Sequence, residues 1–425
     1  MTVLIAGGGI AGLSLALTCH QIGVPFRVFE AADEIRPLGV GINLQPSAVR
    51  ELYDLGLKQP LERIGIPTRD YGMYSKYGLE IWTEPRGRWA GYDWPQFSVH
   101  RGLLLMMLYE HLVRRAGTAA VETGWRARGF ENVPGGARLL LENAAGETRI
   151  EEGALVLGAD GIHSAIRAQM APGEGPPVWG GNVMYRGTTQ AAPFLSGASM
   201  VMIGYEKHRF ITYPITAPDP ETGEATINWA ASIKYGPDDP WNREDYNRRA
   251  NLDDFLPSYA DWVFDWLDVP ALIRGAETVY EYPMVDRDPL DRWTHGRITL
   301  IGDAAHPAYP VGSNGAGQAI VDCRKLGARL LEHGPTQQAL EAYEAEMRPW
   351  TSKVVLANRG NEGPDAILDV VEERCGGRFD DIEDVFPKAE LAAHADRYKK
   401  IAGFSIAELN ALPPVIPEGA RVDLG

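Results

Sequence analysis

The first thirty residues restrict the fold more than any other stretch. Val3-Leu4-Ile5-Ala6 is a short apolar run, and Gly7-Gly8-Gly9-Ile10-Ala11-Gly12 follows at once. Leu13 to Gly23 is helix-compatible and closes on glycine, and Pro25 to Glu30 reads as a second strand ending in an acid. The spacing Gly7-x-Gly9-x-x-Gly12 is the dinucleotide fingerprint in its full strand–turn–helix–strand context. Gly7 permits the tight turn, Gly9 lets a pyrophosphate approach, and Gly12 lets helix and strand pack closely. Ala11 lies inside the same turn. Glu30, 18 residues beyond Gly12, stands where an acid bonds a ribose hydroxyl.

Two later turns share this style. Leu155-Val-Leu-Gly-Ala-Asp160-Gly161-Ile-His-Ser164-Ala-Ile-Arg167 reads as a strand, an Asp-Gly turn and a helix start, with Ser164 and Arg167 on one side of the helix. Asp160 can accept backbone N–H bonds, and Arg167 can anchor the turn. Arg297 to Gly317 reads as a buried strand over Ile298–Ile301, then Gly302-Asp303, a Pro/Gly loop, and a helix to about Leu331. Gly312, Ser313, Asn314, Gly315 and Ala316 leave that loop almost without side chains. Its backbone N–H groups and the helix N-terminus can face a flat or anionic ligand.

Between the turns, Arg36-Pro-Leu-Gly-Val-Gly41 suits a loop crossing a ligand, and Arg101 at the start of the 102–116 helix places a cation against the dipole, which hints at an anion nearby. Residues 180–285 read as a separate sheet of short strands. The chain looks helical beyond Leu331, and the tail from Pro413 reads as extended or frayed.

The chain has 425 residues, a 45% hydrophobic composition and net charge −16. That suits a large core, and the acidity argues against nucleic acid or an anionic membrane as partner. Cys19, Cys323 and Cys375 form neither a metal-ligand spacing nor a disulfide framework. No apolar run approaches the ~20 residues of a membrane span. With no basic leader before the first strand, the expected location is the cytoplasm.

In order and separation, Gly7-x-Gly9-x-x-Gly12, Asp160-Gly-x-x-Ser164-x-x-Arg167 and Gly302-Asp303-Ala-Ala-His306-Pro resemble the group A flavin-dependent aromatic hydroxylases. The Arg36–Asn43 and Ser98–Arg101 segments resemble the branch that contains salicylate hydroxylase and the phenazine-modifying monooxygenase; Tyr282-Pro-Met-Val-Asp resembles the latter. The resemblance implies an α/β fold with an inserted α+β sheet. A discontinuous Rossmann-like FAD-binding domain would span 1–70, 98–180 and 285–335, interleaved with an antiparallel-sheet substrate domain at 71–97 and 181–284. A helical region would follow at 336–425.

It also implies FAD as cofactor and NADH or NADPH as transient co-substrate, the absence of a second GxGxxG agreeing with the latter. The reduced flavin would add O2 at C4a, and the hydroperoxide would hydroxylate a small aromatic or fused heteroaromatic carboxylate or phenol. The protein would be a monomer or homodimer. Gly7, Gly9, Ala11 and Gly12 would serve the pyrophosphate, Glu30 the ribose, Arg36 and Arg101 the phosphates or ribityl side, and Asp303 the ribityl chain. Asp160 is the position tied to both FAD and the pyridine nucleotide. Gly41 would cross the cofactor, and Gly312, Gly315 and Ala316 would lie against the pyrimidine end of the flavin. Tyr213, His208 and Pro310 are the candidate catalytic residues, and Tyr185, Arg186 and Arg209 the candidate substrate-binding ones. His306 is expected to fix its loop. A reductase or oxidase that inserts no oxygen, and a flavin-binding redox sensor, are the competing readings.

Overall fold

The computed structural model describes residues 2–236, 248–313, 315–359, 365–401 and 405–423. Its organising layer is a sheet in the order Thr294–His295, Ile298–Leu300, Leu155–Gly158, Val3–Ala6, Phe26–Phe29, Val121–Glu122. All neighbours are parallel except the first pair. Val3–Ala6 and Leu155–Gly158 are buried at every position, which is why their sequences show no polar alternation. Because Val3–Ala6, Leu155–Gly158 and Ile298–Leu300 run side by side in one direction, the three glycine-containing turns that follow them leave the sheet at its carboxyl end. The first crossover steps to one side of Val3–Ala6, and Leu155–Gly158 lies on the other. Ligands of open α/β sheets bind at such a switch point.

The first helix, Ile10–Ile22, packs on this sheet and against the Gly315–His333 helix. Gly12 has no alternative there: a Cβ would sit 1.9 Å from the Gly7 carbonyl oxygen. A second, seven-stranded sheet runs Tyr280–Asp286, Val178–Ala191, Ala225–Lys234, His208–Pro214, Ser199–Tyr205, Asp70–Tyr74, Glu80–Pro85. Its Val178–Ala191 strand has apolar cover on both faces. Val183 and Tyr185 enter one core, while Met184 and Arg186 face the first sheet. A small sheet, Gly41–Leu44, Phe97–His100 and Gly65–Pro67, sits between the two.

Beyond Gly315–His333 come helices Gln337–Arg359, Ala366–Cys375, Lys388–Ile401 and Ile406–Ala411. The tail after Pro413, expected to be extended or frayed, carries no helix or strand among the described residues but is docked, not frayed. Ile416 is buried in the main core, where Gly327 leaves it room. Arg50 donates to the Leu412 and Pro413 carbonyls, and Val422 N–H donates to Ile22 O at 2.8 Å. One branched apolar side chain with a cavity to fill outweighs the proline content of the segment. Among the described residues, no helix is long and apolar enough to cross a membrane.

Candidate active site

The first turn is built by backbone demand. Gly7 has φ +107 and donates to Phe29 O at 2.7 Å, which draws the turn onto the second strand. Glu30 Oε2 accepts the Gly8 N–H at 2.6 Å, and its Oε1 accepts from Ala32 at 2.8 Å. Gly9 caps Ile10–Ile22 without any side-chain bond, and the space a Cβ would fill beside it is open. The helix therefore presents free N–H groups and positive dipole to an unobstructed surface.

The second turn holds itself and then holds the third. Asp160 accepts from the Ser164 hydroxyl at 2.5 Å and from the Ala165 N–H at 2.9 Å. Burial raises the Asp160 pKa above its ordinary value, against the pull of those donors. Ser164 caps its short helix by accepting the Arg167 N–H at 2.9 Å. The Arg167 side chain, 1% exposed, pairs with Glu174 and donates to the carbonyls of Ala304 at 3.1 Å, Ala305 at 2.8 Å and Asp288 at 2.7 Å. It thus fixes the turn that carries Asp303. On the other side of that turn, Asp322 Oδ2 takes the Gly302 N–H at 3.2 Å and His306 Nε2 at 2.5 Å.

These turns border one continuous concavity. A groove of about 310 Å³ is lined by Gly7, Gly9, Glu30, Arg128, Asp160 and His163. It shares Gly9, Ala159 and Gly161 with a cavity of about 370 Å³ under the seven-stranded sheet. One wall of that cavity carries Ala11, Arg101, Asp303, Gly315 and Ala316; the facing wall carries Met184, Arg186, Ile211, Tyr213 and Asn228. An elongated dinucleotide fits this shape and chemistry. The groove end offers a bare helix N-terminus and an acid. Toward the cavity, Asp303 opens its carboxylate into the space with no bonding partner among the described residues. Lost solvation within the cavity raises the Asp303 pKa, with His306 and Arg101 opposing.

Of the residues singled out in the sequence, Gly7, Gly9, Glu30 and Asp160 line the groove. Gly9, Ala11, Gly41, Arg101, Arg186, Tyr213, Asp303, Pro310, Gly315 and Ala316 line the cavity. The rest are placed elsewhere. Gly12 is packed behind the turn. Arg36 is 66% exposed and pairs with Glu34. Gly312, at φ +69, turns its carbonyl to Gln45 Nε2 at 3.3 Å, and Asn314 lies outside the described residues. Tyr185 stacks on Phe255 and bonds the Tyr235 hydroxyl at 2.9 Å, on the side of its strand away from the cavity. His208 packs edge-on to Tyr259 and bonds Tyr205. Arg209 is held by Asp365 and Asp369. Strand parity decides the outcome for Tyr185 and His208; Arg209 shares the parity of Ile211 and Tyr213, which line the cavity, but is drawn off by Asp365 and Asp369.

Asn228 is the cavity residue that sequence reasoning passed over. Its Oδ1 accepts the Gly41 N–H at 2.7 Å, and Arg186 Nη2 donates to Gly41 O at 3.0 Å. A Cβ on Gly41 would lie 2.6 Å from Asn228 Cγ, so glycine is required there. The available signal was a lone amide in the apolar run Ile227-Asn-Trp-Ala-Ala-Ser-Ile233.

The model of the FAD binding domain family matches residues 1–253 and 268–358. This chain belongs to that family. It is 43% identical to a phenazine 1,6-dicarboxylic acid hydroxylase, PhzS, of Lysobacter antibioticus over 85% of this chain and 89% of that protein. It is 30% identical to a salicylate hydroxylase of Pseudomonas putida over 83% of each. Among solved structures, a salicylate hydroxylase substrate complex superposes with TM-score 0.73 at 22% identity, covering 97% of this chain and 98% of that one. Klebsiella pneumoniae HpxO complexed with FAD and uric acid superposes with TM-score 0.71 at 22% identity, covering 97% of both. The fold is the FAD-binding fold of these proteins, and FAD is the cofactor of this chain.

Proposed function

We propose that this chain is a flavoprotein monooxygenase that uses NADH or NADPH and O2 to hydroxylate a planar aromatic or fused heteroaromatic anion. Arg186 carries the reading. It lines the cavity, has no carboxylate partner among the described residues, and its Nε is buried without a bond. Burial lowers the Arg186 pKa, and the nearby Arg101 adds to the effect, so an anion arriving there relieves a desolvated cation. The relatives named above point the same way, since salicylate and phenazine 1,6-dicarboxylic acid are aromatic carboxylates.

Bound FAD supplies the redox chemistry, accepting a hydride from the nicotinamide and delivering one atom of O2 to the ring while the other leaves as water. The chain's own residues position and shield. Gly7, Gly9 and the bare helix N-terminus receive the pyrophosphate, Glu30 the ribose, and Asp303 the ribityl chain. Gly315, Ala316 and the start of the Gly315–His333 helix face the ring, where N–H dipoles favour the negative charge of the reduced form. Tyr213 has its pKa pushed up to about 12 by burial, with Arg186 opposing. It is protonated at neutral pH and donates a hydrogen bond to a substrate oxygen instead of serving as the base. Met184, Ile211 and Pro310 enclose the apolar ring and exclude water.

The test is Arg186→Leu against Arg186→Lys. Losing a charge-assisted bond raises KM for an aromatic carboxylate roughly 10–100-fold in the leucine variant. The lysine variant retains part of the affinity, and a neutral phenol is affected far less. Equal losses for acid and phenol would remove Arg186 from anion recognition. Labelled O2 that leaves no label in the product would replace the monooxygenase with a reductase or oxidase.

A further inference from the structure

We infer that Asn228 is a positioning residue that holds the flavin-side loop in place while Arg186 turns to the substrate. The inference rests on the proposed role of Arg186 as the anion grip. Both polar groups of the Gly41 peptide positions are held by the substrate sheet: the N–H by Asn228, the carbonyl by Arg186. Asn228 is 1% exposed.

Gly41 is also mechanically joined to the flavin side. The Arg101 N–H donates to Val40 O at 2.9 Å. Gly39, at φ +113, lies over the Arg101 side chain, with a hypothetical Cβ 3.5 Å from its Cδ. A shift of Gly41 therefore displaces the backbone that seats Arg101, which lines the same cavity as Asp303.

Arg186 has two calls on one guanidinium, the Gly41 carbonyl and the incoming anion. A planar carboxylate engages two guanidinium nitrogens at once. When Nε and an Nη rotate to it, the carbonyl bond is weakened, and Asn228 remains as the side chain that keeps Gly41 from following. Loop position then stays the same in the free and the liganded protein.

The experiment is hydrogen exchange of the FAD-loaded protein over residues 38–44, with and without salicylate, in wild type and Asn228→Ala. Wild type should show the same exchange in both states. In Asn228→Ala, the Gly41 amide loses its acceptor in both states, while the other amides of 38–44 should exchange near wild type without salicylate and about fivefold faster with it, the equivalent of one ordinary hydrogen bond. In turnover, the variant should release more hydrogen peroxide per NADH consumed, and kcat should fall more than KM rises. Asn228→Asp, which keeps the acceptor, should restore slow exchange.

A residue that merely stabilises the fold would speed exchange equally in both states, and that outcome overturns the inference. Should wild type bind no aromatic acid, the function proposed above falls. The loop tie is judged separately by the double variant Arg186→Leu/Asn228→Ala without ligand. Exchange over 38–44 must quicken there, and its failure to do so overturns the tie whatever becomes of the substrate reading.

Discussion

His306 sits 8% exposed against Trp293, its Nε2 on Asp322. Burial works against its protonation, but the Asp322 carboxylate more than compensates and raises its pKa. A histidine raised in the folded state contributes stability that is complete below the unfolded value of about 6.5 and is lost as pH climbs through the folded value. His306→Gln should therefore flatten the decline of Tm from about pH 6.5 upward. Thermal unfolding at a series of pH values checks this, and parallel curves for wild type and variant would rule it out. The sequence pattern pointed to a loop-fixing role for this histidine, and its geometry is of that kind. The partner was harder to read, because Asp322 lies 16 residues away in the middle of a helix. By contrast, the glycines of the first turn were legible singly. Gly12 answers a contact that any Cβ breaks, and only one spacing satisfies it.

At the scale of the element, the Ala366–Cys375 helix is pinned to the seven-stranded sheet by charge. Arg209 reaches Asp365 and Asp369, and Lys76 reaches Glu372 at 2.5 Å. Ile367 and Leu368 of this helix join Tyr213 in one apolar cluster, so the helix backs the cavity wall. Arg209→Ala leaves two part-buried carboxylates facing each other and should cost about 2–3 kcal/mol. Adding Asp369→Asn should recover part of the loss. Denaturant titration of the single and double variants measures both, and a double variant weaker than the single would refute the pinning. This helix also shows where sequence reading stops. Tyr185 looked like a site residue because a strand covered on both sides gives no clue to its parity, and Arg209 did because nothing local reveals that Asp365 and Asp369, more than 150 residues downstream, hold it. Met184 and Arg186, one step either side of Tyr185, face the cavity; the pleat decides, and the pattern is silent.

For the whole molecule, the three turns lie more than a hundred residues apart in the chain and converge on one concavity. FAD should therefore act as a cross-brace. Stripping the cofactor should lower Tm in one cooperative step, and reconstitution at about a hundredfold excess over Kd should restore about 2.7 kcal/mol. Calorimetry of apo and holo protein tests this; identical transitions would mean that the ligand does not bridge the turns. The order of the turns was legible because each carries its own local backbone constraint. The docked tail was not, because its anchors, Ile416 beside Gly327 and backbone bonds to Arg50 and Ile22, all lie far away in the chain. The central sheet carries one further consequence. Its strands come from residues 3–6, 26–29, 121–122, 155–158, 294–295 and 298–300, and the buried Arg167 needs carbonyls 137 and 138 positions downstream. During synthesis on the ribosome, the amino-terminal two-thirds therefore waits with an unfinished sheet edge and an internal cation short of two carbonyl partners. Nascent chains halted before Ala305 should be the species that chaperones hold longest.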